Sequence, residues 1–198
     1  MMRRRIRMTR KQRGCELHLP PEERALLEML PKELAALLRG VGIEQPLPES
    51  VRRLFPRAYV RDEEAEQIYE QSTRRELLES HLSSLETLRQ YAHATHLDEE
   101  TTAAWMAALN DLRLVLGTVL GVTDEDVGIP DDAPETEAVI YQYLTMLQAE
   151  LIDVMEQWLP DPVAGADDLV PEDPWGEPLG GLRWDGTPRP SWPPRPDW

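Results

Sequence analysis

The sequence predicts a mainly α-helical protein: a single helical-bundle domain with an N-terminal β-hairpin and a disordered C-terminal tail. Between residues 20 and 159, apolar residues recur at the spacing of amphipathic helices that share one core. Residues 5–19 instead alternate apolar and polar side chains, which is typical of β-strands. Residues 160–198 show neither period and hold ten of the 18 prolines and four of the six tryptophans. The predicted organisation is a basic β-hairpin arm (1–19), a helical domain (20–159) and a Pro/Trp-rich flexible tail (160–198).

Two short strands are predicted in the arm. Ile6 and Met8 alternate with polar residues, and Cys15 and Leu17 do so again after a turn at Gly14. An isolated two-stranded hairpin is only marginally stable in water, so its apolar face is expected to pack on helices. Cys15 falls on that apolar face.

The first half of the helical domain contains three predicted helices. Two prolines and two acids at residues 20–23 favour a helix start, and Gly40 favours its end. Pro31 lies inside this helix and predicts a break or kink there. Asp62 is the expected N-cap of a second helix, and a longer third helix is expected from Thr73.

The second half contains two more predicted helices. Asp98 is the expected N-cap of a helix that runs to about Val119. Its apolar residues lie on most sides, which indicates a central, buried position. The last helix is predicted from about Glu135 to Leu159.

Charge is distributed very unevenly. The chain has 37 acidic and 21 basic residues, yet its first fifteen residues contain seven basic groups and no acid. An acidic body repels a phosphate backbone, so we do not expect the core to bind nucleic acid. The arm could contact DNA weakly, bind an acidic protein surface, or dock on the acidic body of its own chain. Its basic residues are Arg3, Arg4, Arg5, Arg7, Arg10, Lys11 and Arg13.

The sequence gives no sign of an enzyme. It contains no nucleophile elbow, P-loop, HExxH or paired-CxxC motif, so we predict no catalytic residues, cofactor or metal. His93 and His96, three residues apart, are interpreted as a solvent-facing helix end rather than as metal ligands. No uncharged stretch is long enough to span a bilayer, and no apolar segment follows the basic start as in a signal peptide. We therefore expect a cytoplasmic protein without membrane contact.

Two polar residues are predicted inside the helical core. Arg113 lies at the edge of the apolar face of its helix, and Asn110 lies nearby. A partly buried guanidinium needs a carboxylate or carbonyl partner. Asn110 and Arg113 are therefore expected to form a structural polar tie between helices, with a ligand site as the alternative.

The single cysteine, Cys15, has two opposed interpretations. Its cationic neighbours favour the thiolate, and an exposed thiolate is a candidate redox site. Its place on the apolar side of a strand favours a small, buried and inert side chain.

Three segments are distinctive, namely RLFPRAY at 53–59, WMAALNDLRLVLGT at 105–118 and IYQYLTMLQ at 140–148. In this order after a basic hairpin, they resemble the actinobacterial oxidative-stress-regulator family AosR, formerly a domain family of unknown function. The resemblance implies a cytoplasmic, redox-linked transcriptional regulator that acts with an alternative sigma factor on cysteine-biosynthesis genes.

The family's redox scheme uses an intramolecular disulfide, which a chain with one cysteine cannot form. A homodimer linked through Cys15, a mixed disulfide with a small thiol, and no redox role all remain open. The expected function is a transcription-associated regulator that contacts a sigma factor or RNA polymerase. The alternatives are a DNA-contacting regulator that uses the basic arm, and a non-enzymatic adaptor or structural module.

Overall fold

A computed structural model describes residues 4–9, 13–41, 46–123, 128–130 and 132–159. The predicted tail (160–198) lies outside the described residues, as do Arg3, Arg10 and Lys11. The mainly α fold class with an N-terminal hairpin is confirmed. In chain order the elements are β1 (Ile6–Met8), β2 (Gly14–Leu17), α1 (Pro21–Gly40), a 3₁₀ helix (Glu49–Leu54), α2 (Glu63–Gln90), β3 (His96–Asp98), α3 (Glu99–Val119) and α4 (Glu135–Glu156).

The N-terminal sheet has three antiparallel strands in the order β1-β2-β3. Ile6 pairs with Leu17 across β1 and β2, and Cys15 pairs with Leu97 across β2 and β3. The third strand was not predicted, because a three-residue strand is too short to show an alternating pattern. Ile6, Cys15 and Leu17 all face the helical core and are buried.

The α1 helix continues through Pro31, so a break there is excluded, whereas a kink near Leu30, the other form of the prediction, stays a prediction. An internal proline costs about 3 kcal/mol because it removes one backbone hydrogen bond and crowds the preceding turn. Leu27, Leu34 and Leu38 lie on the same buried face of α1 as the proline ring. Burying each leucine contributes roughly 1.5–3 kcal/mol, so the packing of this face outweighs the cost of the proline.

The two helices predicted between residues 62 and 92 are one helix, α2. The Asp62 cap is confirmed, since its Oδ1 accepts a hydrogen bond from the backbone N–H of Ala65 at 3.0 Å. Thr73, where a new helix was expected to begin, donates its hydroxyl proton to the Tyr69 carbonyl at 2.8 Å. This bond back to the preceding turn is the one that threonine makes inside a helix, so Thr73 does not cap a new one.

The α3 helix occupies the centre of the helical domain, as predicted. Asp98 caps it by accepting a hydrogen bond from the Thr101 N–H at 2.8 Å, and Trp105 and Leu109 are fully buried. Helices α2 and α4, the 3₁₀ helix and the sheet all pack against it. The last helix, α4, ends at Glu156 rather than Leu159. Within the described ranges, no helix combines the length and apolarity needed to cross a bilayer.

Gly14 allows β2 and β3 to approach closely, and this gives a first stability prediction. A Cβ at Gly14 would lie 2.5 Å from the Leu97 carbonyl oxygen, which belongs to the backbone of the neighbouring strand. We expect Gly14→Ala to lower the free energy of unfolding by about 1–3 kcal/mol, as overpacking does. The measurement is urea unfolding followed by circular dichroism.

Gly40→Ala is the matched control for this measurement. A Cβ at Gly40, the last residue of α1, meets nothing within 4 Å. The substitution is expected to raise the free energy of unfolding by about 0.4–1 kcal/mol, because alanine restricts the unfolded chain. Equal effects of the two substitutions would contradict the close approach at Gly14.

Candidate functional site

An ion pair between the largely buried side chain of His81 and the buried Asp111 joins α2, α3 and the 3₁₀ helix. The Nδ1 atom of His81 lies 2.8 Å from Asp111 Oδ2, and its Nε2 atom lies 3.0 Å from the carbonyl oxygen of Leu54. Both partners are hydrogen-bond acceptors, so both ring nitrogens must donate, which only the imidazolium form can do. The Phe55 ring packs edge-on against the imidazole, with 5.6 Å between ring centroids.

The surroundings of His81 raise its pKa above the usual value. Burial alone would lower the pKa, because it disfavours the charged ring. The hydrogen bond and negative charge of Asp111, together with the Leu54 carbonyl, outweigh this effect. The folded chain therefore stabilises a positive charge on His81.

A second polar cluster ties α3 to α4. Arg113 donates from Nε to the Thr145 hydroxyl at 3.0 Å and from Nη1 to the side-chain carbonyl of Gln148. Gln148 in turn donates to the Oδ1 atom of Asn110 at 3.4 Å. The guanidinium also lies 5.5 Å from the centroid of the Tyr141 ring, within the range of a cation–π contact. The structure thus brings Asn110 and Arg113 together through one glutamine on the neighbouring helix.

These two clusters connect the three segments that carry the family resemblance. The first segment (53–59) provides the Leu54 carbonyl, and the second (105–118) provides Asp111. The second also provides Arg113, whose partners lie in the third (140–148). The distinctive sequence pattern therefore encodes polar contacts that hold helices together.

Sequence reasoning missed His81, although a signal was present. Asp111 is the only acidic residue between Glu100 and Asp124, in a helix that is otherwise largely apolar. A buried carboxylate needs a partner, and His81 lies on the same face of α2 as Leu85. The single acid in the apolar part of one helix and the single histidine on the apolar face of another could therefore have been predicted to form a pair.

Cys15 is fully buried beneath the sheet. Its Sγ atom lies 3.6 Å from the hydroxyl oxygen of Thr102, which itself donates to the Asp98 carbonyl at 2.6 Å. Because that hydroxyl has a single proton, the Cys15 thiol must be the donor towards Thr102. Burial raises the pKa of the Cys15 thiol. The effect of burial outweighs that of the hydrogen bonds with Thr102 and Leu97, which act in the opposite direction, so the protonated, unreactive form is favoured.

The described basic residues of the arm mostly pair with acids of the helices. Arg5 donates from two guanidinium nitrogens to the carboxylate of Glu23, at 2.8–3.0 Å. Two exposed pairs flank this one: Arg4 with Asp153 at 2.6 Å and Arg13 with Glu99 at 3.1 Å. The side chain of Arg7 is exposed.

Glu150 on α4 fixes the start of β1. Its Oε2 atom accepts hydrogen bonds from the backbone N–H groups of Arg5 and Ile6, each at 2.7 Å. Tyr143, also on α4, donates its hydroxyl proton to Glu23 at 3.0 Å. Burial and the neighbouring Glu23 carboxylate raise the pKa of Tyr143, so it remains a donor. The first strand is thus fastened to α4 and α1 by hydrogen bonds and by the buried side chain of Ile6.

The two histidines placed on one helix face are in fact in different elements, so that placement is wrong. His93 lies in the turn after α2 and its Nε2 is 3.2 Å from Glu28, whereas His96 lies in β3 and its Nε2 is 3.6 Å from Glu16. Across the described part of the chain, no three His, Cys, Asp or Glu side chains converge as a metal site would require.

A groove of about 310 Å³ lies between the 3₁₀ helix and α2. Several of its charged residues pair with one another, for example Arg57 with Glu63 at 2.9 Å and Arg74 with Glu70 at 3.1 Å. Glu66, which is buried in the groove wall, accepts hydrogen bonds from the backbone of residues 58 and 59. Glu66 and the Arg57–Glu63 pair thus hold the 53–59 segment against α2, whereas the Arg74–Glu70 pair lies within α2.

The structure is that of a small helical protein with a short N-terminal sheet. The polar clusters around His81 and Arg113 mainly join its secondary-structure elements. The chain belongs to the family described as "Domain of unknown function (DUF2017)", whose model matches residues 2–155. It is also similar to a Mycobacterium leprae protein named "Putative oxidative stress regulator AosR", with 37% identity over 73 residues.

This match confirms the resemblance to AosR that the sequence indicated. It covers 34% of this chain and 32% of the relative, so the two proteins correspond over about a third of their lengths. No solved structure matches the chain.

Proposed function

We propose that the protein is a non-enzymatic regulator of the oxidative-stress response that acts by contacting a sigma factor or RNA polymerase in the cytoplasm. The observation that carries this proposal is the similarity to the M. leprae protein named as an oxidative stress regulator. The DUF2017 family model matches residues 2–155, which include the arm and nearly all of the helical domain.

The charge of the chain favours a protein partner with a basic surface. The formal net charge is −16, and the described cations of the arm are largely occupied by the chain's own acids. Complementary charge accelerates the encounter of two proteins and suppresses unsuitable partners. An acidic regulator would therefore associate fastest with a basic face of the transcription machinery.

Cys15 sets a limit on the redox part of this proposal. A buried thiol that donates a hydrogen bond to Thr102 is out of reach of oxidants in the folded chain. The oxidative signal would then enter through the partner, or through a state in which the sheet has opened.

The test is binding of the purified chain to purified sigma factors and to core RNA polymerase from the same organism, by biolayer interferometry. We expect binding to one of them, with an association rate that falls steeply as salt is raised. Cys15→Ser is expected to leave this binding unchanged. Failure to bind any sigma factor or the polymerase, under reducing and oxidising conditions, would remove the proposal.

A DNA-contacting regulator is the second candidate, because the exposed Arg7 remains available in β1. Deleting residues 1–13 would not be a clean test, since it removes the buried Ile6 and the bonds to Glu150. Substitutions that keep the strand are preferable, namely Arg7→Gln combined with Arg13→Gln.

We expect DNA binding by the arm to be weak and strongly dependent on salt. If three phosphates are contacted, affinity should fall roughly 40-fold between 50 and 200 mM salt, because the bound cations displace counterions. Arg7→Gln with Arg13→Gln should abolish the binding, whereas Arg75→Gln on exposed α2 is the control. Fluorescence anisotropy with a labelled duplex measures both effects. Tight, sequence-selective binding that survives the arm substitutions would point instead to a reader helix in the core.

A further inference from the structure

The ring of His81 connects the 3₁₀ helix (Glu49–Leu54) to the centre of the helical domain. Its Nε2 atom lies 3.0 Å from the carbonyl oxygen of Leu54, the last residue of that helix, and the ring of the next residue, Phe55, packs edge-on against it. On the other side, Nδ1 lies 2.8 Å from Oδ2 of Asp111 on α3. One largely buried side chain of α2 therefore contacts both neighbouring elements.

These two contacts require two N–H donors on the ring, and only the imidazolium has both. In the neutral ring, the single proton stays on Nδ1, because the charged carboxylate of Asp111 is a stronger acceptor than a carbonyl group. The lone pair of Nε2 would then face the carbonyl oxygen of Leu54 at 3.0 Å, where the two electron pairs repel. Loss of one proton therefore breaks the contact with the 3₁₀ helix and keeps the contact with α3.

Asp111 is the charged side chain that faces the ring from α3. This helix has one further charged residue beyond its first turn, Arg113, which donates to side chains of α4. On α2, the side chains three and four positions before and after His81 are uncharged, namely Leu77, Leu78, Ser84 and Leu85. Asp111 is thus the group that balances the charge of the imidazolium from these two helices.

The charged residues of the 3₁₀ helix contact other groups. Glu49 and Arg52 form an exposed pair at 2.7 Å, and Arg53 donates to the carbonyl oxygen of Val122 at 3.4 Å. Burial lowers the pKa of His81, but Asp111 and the carbonyl group of residue 54 outweigh it, so the pKa is raised. The ring therefore loses its proton only above its ordinary titration range, near about pH 6.5.

The segment that follows the 3₁₀ helix is attached to α2 without His81. Glu66 accepts hydrogen bonds from the backbone N–H groups of Ala58 at 3.0 Å and Tyr59 at 2.7 Å. The 3₁₀ helix itself is held by hydrogen bonds of poorer geometry than those of an α-helix and by the buried side chains of residues 51 and 54. It can therefore open while Ala58 and Tyr59 remain bound to Glu66.

We infer that His81 is a proton-dependent switch: its imidazolium form holds the 3₁₀ helix closed on α2 and α3, and its neutral form allows this helix to open. Opening exposes Val51 and Leu54, which are buried in the closed form, and displaces Phe55, which lines the groove between the 3₁₀ helix and α2. A rise in pH through the pKa of His81 thus changes the shape and the apolar area of this surface. The switch goes beyond the proposed function and does not depend on the partner named there.

The experiment uses the full native chain without any substitution, at a series of pH values from 6 to 9. The ¹⁵N chemical shifts of the imidazole report the protonation of His81, and amide hydrogen exchange by NMR reports opening. The N–H groups of Val51 and Phe55 bond to the carbonyls of Pro48 and Arg52 when the 3₁₀ helix is closed. After correction for the intrinsic pH dependence of exchange, we expect exchange at residues 51 and 55 to rise at least about tenfold, with the same midpoint as the titration of His81.

Two sets of amides in the same chain are controls. The N–H groups of Ala58 and Tyr59 should keep their corrected exchange rates, because their acceptor is Glu66 and not a group that contacts His81. The N–H of Leu109, in the middle of the central helix α3, should exchange only when the whole domain unfolds. Residue 55 should therefore exchange faster than residue 109 at every pH.

A substitution at Asp111 tests the same switch from the α3 side. Without the negative charge, His81 releases its proton more easily, so Asp111→Asn should move the titration of the ring and the rise in exchange to lower pH together. Asp153→Asn, which removes the exposed pair with Arg4, should leave both midpoints in place.

Three outcomes would overturn the inference, and the native chain alone yields all of them. The first is unchanged exchange at residues 51 and 55 while His81 titrates. The second is exchange at residue 55 that equals exchange at residue 109, because the 3₁₀ helix would then open only by global unfolding. The third is a ring that does not change its protonation between pH 6 and 9. Each would leave the binding of a sigma factor or the polymerase untouched, since that binding is measured separately.

Discussion

Replacing Asp111 by asparagine is expected to destabilise the protein by about 3–5 kcal/mol at pH 6, because it leaves the buried charge of His81 without its counter-ion. For a chain of this size, the loss corresponds to a fall in melting temperature of roughly 6–20 °C. Asp153→Asn is the matched control, since it removes the exposed pair with Arg4. Exposed pairs contribute no more than about 1 kcal/mol.

The same ion pair predicts how stability depends on pH. The pKa of His81 is higher in the folded than in the unfolded chain, so its contribution is fully present below about pH 6.5, the unfolded value. It is lost as pH rises through the higher folded pKa. In Asp111→Asn, His81 has no counter-ion and is expected to lose its proton more easily. The deficit relative to the native chain should therefore be largest near pH 6 and shrink above it.

Urea unfolding at a series of pH values from 5.5 to 9 measures this dependence. His81→Gln should flatten the same part of the pH profile, because it removes the titrating group. A deficit for Asp111→Asn that is constant across the whole range would contradict the charged state assigned to His81.

Local patterns in the sequence predicted most elements of the fold. Alternation placed Ile6 and Cys15 on the buried side of the sheet, and the helical cap residues Asp62 and Asp98 were read correctly. These features depend on neighbours within a few residues, which is the range over which periodicity and capping act. The break predicted at Pro31 does not occur, because long-range packing of α1 outweighs the local preference of proline.

The polar clusters were harder to predict because their partners are distant in the chain. His81 and Asp111 are 30 residues apart, and each looks unremarkable within its own helix. The bonds from the backbone of β1 to Glu150 span more than 140 residues. Arg113 was singled out because its own helix is so apolar, but only the folded chain shows that Gln148 is its acceptor. A one-dimensional pattern indicates which groups need partners, whereas the fold supplies them.

The largest expected effect concerns the reactivity of Cys15. Its side chain is fully buried and its pKa is raised by burial, so a thiol reagent can reach it only when the sheet opens. If opening costs about 4–5 kcal/mol, alkylation in the native chain should be roughly 10³-fold slower than in the unfolded chain. Reaction with iodoacetamide, followed by mass spectrometry with and without denaturant, measures this ratio.

An exposed thiol in the same protein provides the reference rate. Val60→Cys in a Cys15→Ser background places one at a position that is 78% exposed, and it should react as fast in native as in denaturing buffer. Peroxide or diamide should crosslink that variant into dimers and leave the native chain monomeric, because only an accessible sulfur can form an intermolecular disulfide. If native Cys15 instead reacts as fast as the thiol at position 60, the sheet opens readily in solution. A switch that acts through another thiol would then be possible in this chain, since opening of the strands would expose its single thiol.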